Sequence, residues 1–466
     1  MKLAVASAAV AAALLLSSCL VGPNYKRPPV TVPATYRAPQ QNQPMTADSL
    51  GDEKWWSVFH DQELQKLIRT ALQRNYNVQI AANRVLQERA QLTITRADEF
   101  PSISGGPTLT GVRSTSIPGV FSGYQYVAPE VTLSASWAPD FWGRYRRATE
   151  AARANLVAAE WNQRAVLSTL VSNVATAYFQ LRELDLALEI AHRTLASRQQ
   201  SLRITETLEQ GGATSMEDVR QAQQLVETAA GIISDTERQM QQQENQISIL
   251  LGQNPTEISR GEKLTGQEPL PQTVPAGLPS SLLERRPDIR QAEQQLIAAN
   301  AEIGVAKAQL FPQISLTGSG GFESIGLHNL FTLSDGIWNF TGAAVQPIFE
   351  GGRLRANVRL AEAQQQQMVL SYKQIIQQAF NDVSNALIAY QKYRQYREHQ
   401  DLLTHYAEDA ANLSDVRYRG GVTSYLEVLT SQTNYFSAEL TLAQARLNER
   451  LSLVQLYNAL GGGWQQ

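Results

Sequence analysis

The chain repeats itself. A double-glycine turn, Gly420-Gly421-Val422-Thr423-Ser424, also occurs as Gly211-Gly212-Ala213-Thr214-Ser215, 209 positions earlier. Other pairs keep nearly the same offset. Arg74-x-x-Asn77-Val78 meets Arg285-x-x-Asp288-Ile289 at 211, and Phe100-Pro101-x-Ile103-Ser104 meets Phe311-Pro312-x-Ile314-Ser315 at 211. Pro139-x-Phe141-x-Gly143 meets Pro347-x-Phe349-x-Gly351 at 208, and Leu251-Gly252 meets Leu460-Gly461 at 209. A period this long marks a whole structural unit used twice, so the fold of one half constrains the fold of the other. The offset first changes where loop length is free to vary.

Within a half, the longest feature is helical. Arg144 to Gln210 contains neither proline nor glycine and is rich in Ala, Leu, Arg, Gln and Glu, which are good helix formers. About 65 residues at ~1.5 Å each predict a helix on the order of 100 Å long. Its counterpart runs from Arg353 to Arg419, where Leu354, Val358, Ala361, Met368, Tyr372, Ile375, Ala379, Val383 and Tyr390 step mostly by three and four, as in a coiled-coil seam. After each double-glycine turn a second helix follows, from about Ser215 to Leu251 in the first half. The glycines supply positive φ to end one helix, and Thr423 or Ser424 can cap the next. Ser424-x-x-Glu427 fits a capping box.

Between the helices the period changes to two. Val131, Leu133, Ala135 and Trp137 alternate with Thr132, Ser134 and Ser136, which predicts a strand with one apolar face. Residues 101–110 form a weaker partner strand and 111–123 a loop, closed by Pro139. In the second half, strands are expected near 312–322 and 337–349. Helical patterning begins at Trp55-Trp56-x-x-Phe59, with Asn75 and Asn77 marking a break before residues 78–97.

The N-terminus is different. Lys2 followed by an apolar run from Leu3 to Leu16 and then Ser17-Ser18-Cys19 reads as a signal peptide of lipoprotein type. Cleavage would make Cys19, the only cysteine, the first mature residue and its lipidation site, and Leu20 after it favours the outer membrane. No intramolecular disulfide is possible with one cysteine. The expected organisation is a signal segment over 1–18, an extended strap over 19–54 and a first repeat over 55–252. That repeat holds a β-hairpin near 101–139 and a helical hairpin near 143–251. A linker over 253–279 leads to a second repeat over 280–466, with a β-hairpin near 312–349 and a helical hairpin near 353–460.

Composition excludes several functions. A net charge of −3 offers no electrostatic case for nucleic acid. His60, His192, His328, His399 and His405 form no helical i, i+4 metal pair. G-x-S-x-G, P-loop and C-x-x-C motifs are absent, so no enzyme, cofactor or metal site is expected. Five methionines do not suggest a thioether path for soft metal ions.

Four strands per chain cannot close a barrel, since membrane barrels begin at about eight. Open strand edges in a bilayer would leave backbone groups unsatisfied, so strands that span a membrane must be pooled from several chains. The alternative is a pore-less periplasmic coiled-coil scaffold or adaptor lipoprotein.

Several short motifs remain: Cys19-x-Val21-Gly22-Pro23-x-Tyr25-x-x-Pro28, Trp55-Trp56-x-x-Phe59-x-Asp61-x-x-Leu64 and Glu284-Arg285-Arg286-Pro287-Asp288-Ile289, with Phe349-x-Gly351-Gly352-Arg353 and Leu460-Gly461-Gly462-Gly463-Trp464. In these the chain resembles the TolC-like outer-membrane factor family of efflux lipoproteins. The implied fold class is mixed α and β and internally duplicated. Long antiparallel helical hairpins form an α-barrel across the periplasm, and two β-hairpins give four strands to a trimeric outer-membrane β-barrel. The implied function is a passive exit duct of a tripartite RND-type pump, a homotrimer working with a periplasmic adaptor and an inner-membrane transporter. Drugs or other small organic molecules are the expected cargo; the same duct serving metal-ion or protein export is the alternative.

The resemblance also assigns residues. It places the gate at Leu426, Glu427, Thr430 and Thr433, where relatives often carry Asp and Arg at the last two. Glu427 stands either in an acidic ring or in the capping box with Ser424. Tyr418 matches a tyrosine that ties helix pairs shut, with Arg417 as a substitute cation and Glu206, Glu209 or Gln210 as acceptors; Arg417 otherwise serves as a favourable charge at a helix C-terminus. Gly211, Gly212, Thr214, Ser215, Gly420, Gly421, Thr423 and Ser424 form the adaptor-docking turns.

Overall fold

A computed structural model describes residues 20–37, 48–115, 123–266, 270–271 and 274–465. The signal segment, Cys19 and part of the 111–123 loop lie outside them. The elements run α1 (Trp55–Val58), α2 (Gln62–Arg74), α3 (Tyr76–Ala97), β1 (Ser102–Arg113), β2 (Gln125–Trp137), α4 (Arg144–Gln210) and α5 (Met216–Leu250). They continue with α6 (Pro279–Arg285), α7 (Pro287–Ala308), β3 (Gln313–Glu323), β4 (Gly336–Val345), α8 (Arg353–Arg419) and α9 (Tyr425–Ala459). The duplication is exact in length for three helix pairs: α3 and α7 have 22 residues each, α4 and α8 have 67, and α5 and α9 have 35, whereas α2 has 13 and its counterpart α6 has 7. β2 begins at Gln125, just past the loop expected over 111–123, β4 ends at Val345 where 349 was expected, and β1 departs by running on through Gly111 to Arg113. Alternation of apolar residues is lost there, but the ladder continues through backbone pairing, which side-chain pattern does not report.

The chain divides into two compact units. The first takes residues up to Pro29, Arg84–Ala159 and Gln291–Tyr372. It holds one antiparallel sheet in the order β1-β2-β3-β4. Register sorts the sheet into two faces. Ile103, Leu109, Val131, Leu133, Trp137, Leu316, Phe322, Trp338 and Phe340 share one. Ser104, Thr108, Thr132, Ser134, Thr317, Ser319, Asn339 and Thr341 share the other, where Glu130 opposite Glu323 supplies the only charges. Leu133 is 65% and Trp338 83% exposed, so much of the apolar face is open among the described residues. Below the sheet, Ala151, Ala154, Ala298 and Ala301 let α4 and α7 approach closely, and Ile303 and Ala306 meet Ala361 and Val358 of α8.

The start of the N-terminal strap, up to Pro29, belongs to this unit and is held by a buried cation. Arg147, 2% exposed, pairs with Glu150 and donates from Nη2 to Asn24 Oδ1 at 2.8 Å and from Nε to Val21 O at 3.3 Å. Gly22, at φ +99°, lies so close to Gly304 that a Cβ would stand 2.5 Å from the Gly304 Cα. Arg27 grips Glu293 with two bonds of 2.5 and 2.6 Å. By position Arg147 is simply a charge in the first turn of α4. Its role needs the strap to come within reach, which no local pattern announces.

The second unit takes Val30–Asn83, Glu160–Arg290 and Lys373–Gln466. Asp61 caps α2 by accepting from the backbone of Glu63 and Leu64, and also accepts from Tyr178 Oη at 2.8 Å. The break at Asn75 is real: its Oδ1 accepts from Asn77 N–H while its Nδ2 donates to Leu250 O. The Arg285-Arg286 pair splits in two directions. Arg285 reaches Asp52 and Ser49; Arg286 binds Asp288 and Asp382 and donates to Ala459 O. One joins the N-terminal segment, the other ties α7 to α8 and α9. The seam on α8 forms as expected, with Ala361, Tyr372, Ala379, Val383 and Tyr390 buried. Other apolar residues of α8, among them Leu402, Tyr406, Leu413 and Val416, stay exposed.

Candidate functional site

The two double-glycine turns have the same hydrogen-bond plan. Gly212 N–H donates to Glu209 O at 2.8 Å and Ala213 N–H to Leu208 O at 2.8 Å; Gly421 N–H donates to Tyr418 O and Val422 N–H to Arg417 O, both at 2.9 Å. Gly212 and Gly421 each have φ +72°. This is the Schellman arrangement, which satisfies the last helix carbonyls and requires a left-handed residue.

The following caps differ. At the first turn, Ser215 Oγ accepts from Asp218 N–H at 3.3 Å and Asp218 accepts from Ser215 N–H at 3.4 Å, a complete capping box. The box expected between Ser424 and Glu427 does not form, and Ser424 makes no side-chain cap. Glu427 instead accepts from Arg417 Nη1 at 3.0 Å and from the Thr423 hydroxyl. The reason is local chemistry. Glutamate is one methylene longer than the aspartate at the matching position, and Arg417 matches Leu208, so only the second turn has a cation to draw the carboxylate away.

Arg417 therefore pairs across its own turn. No hydrogen bond or ion pair of Arg417 among the described residues reaches Glu206, Glu209 or Gln210, and the Tyr418 hydroxyl has no partner among them. The Tyr418 ring packs instead, 5.4 Å from Tyr425, in a cluster with Leu202, Ala222, Val428 and Leu429. That cluster joins α4, α5, α8 and α9. Burial raises the Tyr425 phenol above its ordinary pKa.

Leu426, Thr430 and Thr433 lie on one exposed face of α9, as their spacing requires. Both threonine hydroxyls turn back onto the helix, Thr430 to Leu426 O and Thr433 to Leu429 O, each at 2.8 Å. Leu426 is 59% exposed at the first turn of the helix. The face is thus uncharged.

An amphipathic four-stranded sheet with two open edges, carried by duplicated pairs of very long helices, defines a channel-type subunit whose sheet is completed by further strands. The chain belongs to the outer membrane efflux protein family, which matches residues 67–253 and again 278–462. The two matches follow the two repeats. The chain is 36% identical over 456 residues to the cation efflux system protein CusC of Escherichia coli O6:H1, covering 97% of this chain and 98% of that one. It is 37% identical over 465 residues to the solvent efflux pump outer membrane protein SrpC of Pseudomonas putida, covering 97% of each. The open-state structure of the MtrE outer membrane channel of Neisseria gonorrhoeae superposes with a TM-score of 0.86 at 32% identity, covering 96% of this chain and 99% of that one. The protein is an outer-membrane efflux duct with a helical periplasmic part, which sets the pore-less scaffold aside.

Proposed function

We propose that three copies pool their sheets into a twelve-stranded barrel and form the passive exit duct of a tripartite pump for small organic molecules. The observation that carries this is the sheet: four strands of 10 to 13 residues, apolar on one face and hydroxyl-rich on the other, with β1 and β4 unpaired at its edges. Such strands are long enough to cross a bilayer when tilted, and their edges can be satisfied there only by another copy. The polar face, with one Glu130–Glu323 pair per chain, admits neutral and cationic solutes and disfavours anions. Cys19 carries the lipid, and the turns at Gly211–Ser215 and Gly420–Ser424 receive the periplasmic adaptor, which joins the duct to an inner-membrane transporter. The transporter supplies energy and selects cargo.

In this reading Leu426, Thr430 and Thr433 line the periplasmic gate. Arg417 and Glu427 form a latch within each chain, with Tyr418 as the packing post beneath it; Glu206, Glu209 and Gln210 are acceptors offered to a neighbouring copy. Both partners of the ion pair are half-exposed, so it contributes at most about 1 kcal/mol and weakens with salt. Planar-bilayer recording of the detergent-purified lipoprotein tests the duct: a correctly assembled oligomer that never conducts overturns it. Arg417→Ser is expected to raise closed-state conductance and cation preference by freeing the three Glu427 carboxylates. Tyr418→Phe alone is expected to leave both unchanged, because the lost hydroxyl makes no bond among the described residues.

A further inference from the structure

We propose that the β3–β4 connection, residues 324–335, is a lipid-embedded clip. It lies against the outer, apolar face of the barrel and inserts among the acyl chains of the outer leaflet. The proposal rests on the reading of the strands as a membrane-spanning barrel.

Its composition is the first reason. Within twelve residues, Ile325, Leu327, Phe331 and Leu333 are all exposed, Leu333 by 98%, while only Leu330 is buried. The segment has no Lys or Arg, and Asp335 is its only carboxylate. A connection built to stand in water seldom exposes so much apolar surface.

Direction is the second. The Phe331 ring packs edge-on against Phe322 at 5.7 Å. Register puts Phe322 on the face that also carries Val131, Leu133 and Trp338. The connection therefore continues the apolar face and does not fold over the hydroxyl-lined one.

Height is the third. β3 ends with Glu323 opposite Glu130, whereas β1 and β2 continue to the Arg113–Gln125 pair. Ser324 N–H donates to Pro129 O at 3.1 Å, which holds the start of the connection at the level of Leu109. From Ile314 to Phe322 the apolar face of β3 spans about 27 Å along the strand, at ~3.4 Å per residue. A tilt of about 40° leaves roughly 20 Å along the membrane normal, against an apolar band of about 25 Å. The missing ~5 Å is about the reach of one layer of large side chains, which Ile325, Leu327 and Leu333 supply.

Part of the backbone is bonded within the connection. Two 3-10 turns, Leu327–Asn329 and Leu333–Asp335, satisfy amides internally. Asn329 N–H donates to Gly326 O, Leu330 to Leu327 O, Thr332 to Asn329 O and Asp335 to Thr332 O, at 3.0 to 3.4 Å. The Thr332 hydroxyl donates to Asp335 Oδ2 at 3.0 Å. Irregular backbone open to lipid is not tolerated in the hydrocarbon core, so the backbone of the clip lies at the hydrated headgroup level and only its apolar side chains reach down among the acyl chains.

The test uses the full lipoprotein reconstituted in phosphatidylcholine vesicles. A polarity-sensitive fluorophore is attached to Leu333→Cys, or to Ile325→Cys if the first assembles poorly, with the unsubstituted protein as the blank for Cys19. Labels on Leu133→Cys and Asn339→Cys mark the lipid and lumen faces. The expected result is blue-shifted emission at Leu333→Cys, quenched by lipids with a doxyl group near the headgroup and protected from iodide. Iodide access without doxyl quenching, while Leu133→Cys is still quenched by lipid, overturns the clip and leaves the barrel standing. Protection from both quenchers, as for a cap over the pore, also overturns it. Loss of lipid quenching at Leu133→Cys overturns the barrel reading itself.

Discussion

Leu133→Arg is expected to abolish the assembled oligomer, while Ser134→Arg, one residue further along β2, leaves it in place. The two positions differ only in face. Leu133 pairs with Gly105 and Gly320 on the apolar side, and Ser134 pairs with Ser104 and Ser319 on the polar side. An arginine on the lipid face near mid-depth costs about 2–4 kcal/mol, whereas a lumen-facing one is solvated. In a trimer the charge enters three times, so the cost per assembly is on the order of 10 kcal/mol, comparable with the whole stability of an ordinary domain. The glycines flanking Leu133 give the guanidinium no partner in the neighbouring strands. Semi-native gel electrophoresis of membranes reads the outcome directly. Equal loss of the oligomer in both variants would show that face does not matter, and so that the apolar side is not in lipid.

The second large effect is at Arg286. Its side chain is 11% exposed and makes a two-pronged contact with Asp288, at 3.0 and 2.7 Å, a 3.1 Å contact with Asp382 and a 3.2 Å bond to Ala459 O. Removing the cation leaves two carboxylates facing each other and one carbonyl without its donor. Breaking a buried pair costs about 3–5 kcal/mol. Asp288 and Asp382 are both more than a third exposed, so water recovers part of this and the lower end, about 3 kcal/mol, applies. Arg286→Ala should lower the thermal midpoint in detergent by on the order of 5 °C. Arg286→Lys should recover little, because an ammonium cannot reproduce the planar fork. Arg419→Ala removes an exposed pair with Asp415 and should change the midpoint by no more than about 1 °C. Equal shifts for Arg286→Ala and Arg419→Ala would mean that the Arg286 node contributes nothing beyond surface charge.

Most of the fold was legible because its determinants are local. Helix α8 begins and ends at the residues its composition suggests, since glycine pairs bracket a stretch with no breaker. The faces of β2 follow from alternation. The last three residues of β1, 111–113, were missed, because pairing there is carried by backbone hydrogen bonds between residues whose side chains no longer alternate. The candidate site was legible only in part. The turns were found from Gly and Thr/Ser, but the capping box at Ser424 was assigned by pattern and does not form. A pattern four residues long cannot register Arg417, which lies ten residues from Glu427 and reaches it only because the turn folds back.

The sequence by itself determined the duplication, the turn positions, the period of each element and the need for strands from other copies. These depend on backbone conformation, breaker residues and apolar spacing, which act over a few residues. Only the tertiary structure decided which charges meet. Glu427 pairs with Arg417 and not with the Ser424 cap, Arg147 holds the strap, Arg286 joins α7 to α8 and α9, and the β3–β4 connection turns toward the apolar face. Each of these depends on where segments far apart in the chain come to rest, and the direction of a charged or aromatic side chain is set by the partner it finds there.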